Sequence, residues 1–331
     1  MSSLAPSAID PAALARHYRA FLRPGRILLT GHSHQAWPDA ARQGQLAAFD
    51  DAALLVDDKW GRAFAAADAV RTAVAGCIGG RPDEIALGAS THELVARFLS
   101  ALDLRARPHL VTTSGEFHSL FRQLSRLREA GIDVTFVEAA PIASLADRLA
   151  AAVSSRTAAL LVSSVLFETS SIVPGLERAV RAAHAHGAAV LVDAYHAFGV
   201  VPFQVTDLGR DPVFVVAGGY KYAQWGEGNC FLRVPTGTPL RPVYTGWFAD
   251  FAGLAHRRGD GRTVGYGPRP CDVFAGSTYD PTSHYRARAV IDFFAREQLT
   301  IPRLRACSLR QTTRILGHLS GMDVRTPGGA A

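Results

Sequence analysis

Seven short apolar or β-branched runs recur through the middle of the chain: Glu84–Leu87, His109–Thr112, Asp133–Val137, Ala158–Val162, Ala189–Asp193, Val213–Ala217 and Asn229–Val234. Longer segments with helical spacing of apolar positions lie between many of them, at Thr91–Leu102, Phe117–Ala130, Ala143–Val153 and Gly175–His186. Strand-length runs alternating with helix-length runs predict stacked βαβ units on a mostly parallel sheet flanked by helices, an α/β fold. The ends read differently. Pro11–Leu22 and Ala36–Ile78 predict helical arms before the first strand, and Ser283–Arg296 with Ile301–Leu319 predict helices after the last. Pro235–Pro281 is rich in Gly, Pro and aromatics and reads as an ordered loop, the kind of segment that carries binding residues on a rigid scaffold.

Composition narrows the class. A chain of 331 residues with 48% hydrophobic content can bury one large core and still supply a smaller second piece. The formal charge of +6 comes from 35 Lys and Arg against 29 Asp and Glu, and the arginines are scattered. Scattered charge suits a small anionic ligand and argues against nucleic acid, whose binders cluster their basic residues. Cys77, Cys230, Cys271 and Cys307 form neither a CxxC pair nor a metal-spaced set with histidine, so a reduced, cytoplasmic protein without a metal site is expected. The N-terminus lacks the apolar core of a signal peptide, and no apolar stretch approaches ~20 residues, so neither export nor membrane spanning is expected.

The chemistry concentrates in two runs. In AVLVDAYHAFGVVPF an apolar strand delivers Asp193 and then His196 at its carboxyl end, where open α/β sheets bind ligands. Taken alone, Asp193 also suits a helix cap or a surface turn. In VFVVAGGYKYAQWGEGNC a second strand ends in two glycines, and Lys221 follows between Tyr220 and Tyr222. Aromatic flanks that desolvate an amine lower its pKa, as an imine-forming nucleophile requires, although an isolated lysine more often only reaches for solvent. Upstream, Ser90 and Thr91 open a helix directly after a strand, where hydroxyls and free N–H groups can hold a phosphate or simply cap the helix. Phe117, in TTSGEFHSLFRQL, could cover a planar ring or belong to the core.

A strand-end aspartate followed one strand later by a strand-end lysine resembles the fold-type-I pyridoxal-5′-phosphate (PLP) enzymes, in particular their class V aminotransferase and kynureninase group. The DxxH and GYKY elements of kynureninases match Asp193, His196, Tyr220, Lys221 and Tyr222. LLTGHSHQAWP stands in the place of their GNSLG-type loop, and SSVLFETSSIVPG, TGWF and AGSTYDP follow in the family order. The similarity runs from about residue 27 to 290. It implies the aspartate aminotransferase-like fold, with a helical N-terminal arm over 1–35, a large PLP-binding domain over 36–285 and the beginning of a small C-terminal domain over 286–331.

For the site, the resemblance implies that Lys221 holds PLP as a Schiff base and takes the substrate proton. Asp193 pairs with the ring nitrogen, and Phe117 stacks on the ring. Ser90, Thr91, His196 and Tyr220 complete the cofactor site, with Tyr220 also relaying protons. Trp247 and Thr278 reach the cofactor or substrate of a neighbouring subunit, so a homodimer with shared sites is implied. His32 and Ser33 take the substrate-facing position of the family loop. The implied reaction is hydrolytic cleavage of the Cβ–Cγ bond of a kynurenine-type amino acid to an aryl acid and alanine. A class V aminotransferase, another PLP lyase, and a truncated PLP-binding homologue without turnover remain open. Two departures bear on substrate recognition: His32 replaces the family Asn, and Leu120 stands nearest the position of a family acid. A third is the end at Ala331, before the domain that in relatives supplies an arginine for the substrate carboxylate; Arg257, Arg258 and Arg262 are the conceivable substitutes.

Overall fold

The computed structural model describes residues 8–255 and 262–320. All seven predicted strands form and join one sheet: β1 (Ile85–Gly88), β2 (His109–Thr113), β3 (Asp133–Val137), β4 (Thr157–Ser163), β5 (Ala189–Asp193), β6 (Phe214–Gly218) and β7 (Cys230–Arg233). Their order is β1-β7-β6-β5-β4-β2-β3, with β7 antiparallel to both neighbours and every other pairing parallel. The carboxyl ends of β2, β4, β5 and β6 therefore open on the same edge, which is where a ligand site belongs.

Helices cover both faces because the strands are apolar on both. Leu160 and Val162 of β4 and Val190 and Val192 of β5 face one core, with α3 (Lys59–Ile78), α6 (Leu145–Ala152), α7 (Leu176–Ala185) and α9 (Thr282–Arg296). Ala159, Leu161 and Leu191 face the other core, with α4 (Thr91–Ser100) and α5 (His118–Glu129). Each fully buried Leu or Val here contributes about 1.5–3 kcal/mol relative to leaving it in water. Around this core lie the short α1 (Pro11–Ala15), then α2 (Asp39–Leu55), α8 (Pro270–Val273) and α10 (Ile301–Leu319). Among the described residues no helix is long and apolar enough to cross a membrane.

The arms depart from the predicted helices. The helix expected over Pro11–Leu22 stops at Ala15, because the Asp39 carboxylate takes the N–H groups of Arg19 and Ala20, both at 3.2 Å. The helix expected over Ala36–Ile78 is two helices, broken where Val56 turns to φ +51° before a short 3-10 turn, Val56–Asp58. The long loop contains 3-10 turns at Trp247–Asp250 and Ala252–Ala255 besides α8.

Candidate active site

β5 and β6 are hydrogen-bonded neighbours, and each delivers one reactive side chain past its carboxyl end. Beyond β6 the chain must turn tightly. A Cβ on Gly218 would meet Cys230 Sγ at 2.6 Å and Tyr195 Oη at 2.8 Å, so side chains are excluded there. The loop then closes through Trp225 N–H to Gly219 O at 2.8 Å. Buried Arg286 of α9 secures the loop from outside, donating to Trp225 O at 2.6 Å and also to Glu227 O. The turn thus presents Lys221 on a fixed base.

Lys221 Nζ lies 2.5 Å from His196 Nε2, 5.4 Å from the centre of the Phe117 ring and 5.5 Å from that of Tyr195. Burial lowers the lysine pKa, and the Asp193 charge works against that shift. Burial and then the Lys221 charge push the His196 pKa down to about 4, so the imidazole is neutral, with Nε2 accepting from the amine. Burial raises the Asp193 pKa to about 6, while the Tyr195 N–H, 2.8 Å from Oδ1, and Lys221 oppose the rise. Among the described residues Oδ2 has no hydrogen-bond donor, so it is available to a ligand N–H.

Phe117 is the N-cap of α5 rather than its first residue, which leaves its ring outside the helix and 38% exposed. It meets Phe167 edge-on at 5.4 Å and lies 6.2 Å from His196, forming an aromatic wall open on one side. At the head of α4, Ser90 Oγ accepts the Glu93 N–H at 3.2 Å. The Ser90 hydroxyl hydrogen, the Thr91 hydroxyl and the first-turn His92 N–H remain for an anion. A lysine, a ring-facing carboxylate, an aromatic wall and an anion cup fit a planar, phosphorylated pyridine aldehyde.

The remaining sequence-derived residues are placed less centrally. Tyr220 meets His34 edge-on at 5.2 Å, so the N-terminal loop reaches the lysine turn through His34. His32 is exposed, and Ser33 turns back to Thr30 O at 3.4 Å. Trp247 Nε1 donates to Thr278 Oγ1 at 3.2 Å, and both residues are exposed. Arg257 and Arg258 lie outside the described residues, and Arg262 is exposed. A cavity of about 1000 Å³ adjoins the anion cup, lined in part by Ala89, Glu93, Arg97, Thr278 and His284. Lys221, Asp193, His196 and Phe117 are not in its wall, so the chemistry and this void are neighbours rather than one site.

Sequence reasoning passed over Glu116, Ser163, Phe167 and Arg286. Glu116, Ser163 and Phe167 stand inside quoted runs, but nothing local marks them, because their partners at the site lie far away in sequence. Tyr195 lay within the DAYH run, but only the fold shows its ring facing Lys221.

The family model described as aminotransferase class-V matches residues 56–247. A kynureninase of Xanthomonas campestris pv. campestris (strain B100) is 30% identical over 197 residues, covering 54% of this chain and 45% of the relative. A probable cysteine desulfurase of Methanothermobacter thermautotrophicus is 31% identical over 180 residues, covering 53% and 44%. The chain thus spans about half the length of these curated relatives. Among solved structures, a C-DES mutant with glycine covalently linked to its PLP cofactor superimposes with a TM-score of 0.77 at 18% identity, over 94% of this chain and 83% of that one. That likeness establishes the fold.

Proposed function

The chain belongs to the class-V aminotransferase family, a PLP-dependent family, and from that premise we propose that it is a kynureninase-like hydrolase. It would cleave the Cβ–Cγ bond of a kynurenine-type amino acid with water, giving an aryl acid and alanine. The observation that carries the reading is the placement of Lys221 Nζ beside His196 and over Phe117, one strand from the Asp193 carboxylate. Bound PLP supplies an electron sink for the bonds at the substrate Cα.

The protein's own groups do the rest. Lys221 would anchor the cofactor covalently and, as a free amine, would take the proton from the substrate Cα, a role its lowered pKa suits. Neutral His196 accepts from the amine and holds it in place. Asp193 Oδ2 would receive the pyridine N–H, and Phe117 would cover one ring face. Ser90 and Thr91 hold the phosphate, and Tyr220 relays protons beside the lysine. His32 and Ser33 contact substrate. Trp247 and Thr278 serve the site of a second copy in a homodimer.

The kynurenine-type substrate is supported by the GYKY and DxxH matches and the 30% identity to a kynureninase. A desulfurase needs a thiol that can swing to the substrate. Cys230 is buried in β7, with burial pushing its pKa up to about 12, and Cys271 is buried with its pKa raised to about 11. Neither is placed to do so.

Purified protein incubated with PLP should develop a visible band that borohydride bleaches, with the pyridoxyl label on Lys221. Labelling at Lys59, the other lysine, contradicts the assignment. Kynurenine or 3-hydroxykynurenine should then release a fluorescent aryl acid and alanine. Keto-acid formation would instead indicate a transaminase, sulfide from cysteine a desulfurase, and PLP binding with no turnover a binding homologue.

A further inference from the structure

The turn that carries Phe117 also carries a buried acid with no part in the chemistry above. Glu116 is 2% exposed and lies between the end of β2 and the start of α5. Its two oxygens have different surroundings. Oε1 accepts twice, from Thr113 Oγ1 at 3.1 Å and from the Ser163 N–H at 3.0 Å. Thr113 Oγ1 itself accepts the Gly115 N–H at 3.0 Å, so its own hydrogen is committed to Glu116. Oε2 faces Ser163 Oγ alone, at 2.5 Å. Oε1 is therefore filled by donors, and a proton on a neutral Glu116 belongs on Oε2, where the Ser163 oxygen can accept it.

Ser163 ends β4 and is the register partner of Asp193 on β5. In-register neighbours on parallel strands project to the same face, so Ser163 stands beside Asp193, and Glu116, bonded to Ser163, feels the Asp193 charge. Two adjacent anions in so dry a place would repel, and the arrangement at Oε2 lets one of them stay neutral.

We infer that Glu116 is a positioning residue of the Lys221 site, held neutral by a proton on Oε2 shared with Ser163, so that it anchors the Phe117 turn and leaves the negative charge to Asp193. The inference rests on the PLP reading of that site. It makes the hydrogen-bond frame, not a charge, the useful property of Glu116. A glutamine reproduces that frame, with its carbonyl at Oε1 and its N–H toward Ser163 Oγ.

The test compares Glu116→Gln, Glu116→Asp and Glu116→Ala by PLP dissociation constant, absorption maximum of the lysine-bound cofactor and melting temperature of the apoprotein. Glu116→Gln should retain the wild-type affinity and band position, while Glu116→Asp and Glu116→Ala weaken PLP binding by about tenfold or more and shift the band. If Glu116→Ala does not fold, Ser163→Ala removes the Oε2 partner alone and should shift the band in the same direction. Loss in Glu116→Gln equal to that in Glu116→Asp overturns the inference, as does an unshifted band and affinity in Glu116→Asp or Ser163→Ala. In Glu116→Asp, Glu116→Ala and Ser163→Ala, a change in melting temperature with affinity and band unmoved would mark a merely structural role and overturn the inference. Failure of the wild type to attach PLP at Lys221 would instead defeat the reading on which the inference rests.

Discussion

Tyr18 Oη donates to Gln224 Oε1 at 2.7 Å, joining the N-terminal arm to the turn that carries Lys221, 206 residues away in sequence. Gln224 sits at φ +61°, a conformation that costs a non-glycine residue about 1–2 kcal/mol and persists only where its surroundings hold it. Tyr18 is 8% exposed and packs with Phe293 and Leu299, so the arm is seated by apolar contacts before it reaches the turn.

From this contact, Tyr18→Phe should lower stability by about 0.5–1.5 kcal/mol, the net value of one hydrogen bond. Gln224→Gly loses the same bond but relieves the backbone, so it should cost less than Gln224→Ala. Urea denaturation checks both, and a costlier Gln224→Gly would contradict the account.

Asp193 and Asp280 separate cofactor chemistry from local structure. Asp280 is exposed, and its Oδ1 caps the Thr282 N–H at 2.9 Å. Asp193→Ala should weaken PLP binding by about 1.5–3 kcal/mol, the value of a charge-assisted bond, and abolish most turnover. Asp280→Ala should leave PLP affinity near wild type. Equal PLP dissociation constants in the two variants would remove Asp193 from its role.

The same buried acids make the apoprotein sensitive to pH. Asp193, at about 6 against an ordinary 3.8, and Glu116, at about 7 against 4.5, bind protons more tightly when folded. Their contribution therefore falls as pH rises from about 4 to about 7 and is flat above that. His196, lowered to about 4, and His284, lowered to about 3, act oppositely below about 6.5, so the wild-type profile alone mixes the two. The informative quantity is a difference: Asp193→Asn and Glu116→Gln should each gain stability over wild type as pH rises through that window. The gain is about 1–3 kcal/mol at pH 8, at about 1.4 kcal/mol per pKa unit. Thermal melts of the apoproteins at pH 4.5 and pH 8 measure it, and a gain larger at the lower pH would reverse the sign argued here.

The sequence by itself determined the elements whose signal is local. The seven strands were legible because buried parallel strands read as short apolar runs bounded by turn residues. Asp193 and Lys221 were legible for the same reason, since a polar residue ending such a run lies at the ligand edge of the sheet. The order of the strands, the antiparallel β7 and the adjacency of β5 to β6 came only with the tertiary structure. So did the breaks in the arms, where the Asp39 carboxylate competes for the N–H groups of Arg19 and Ala20, and where the backbone reverses at Val56. Glu116, Ser163, Phe167, Arg286 and the Tyr18–Gln224 bond belong to this second group. Their partners lie far away in sequence, and hydrogen bonds between distant residues leave no period in the chain for a reader to find.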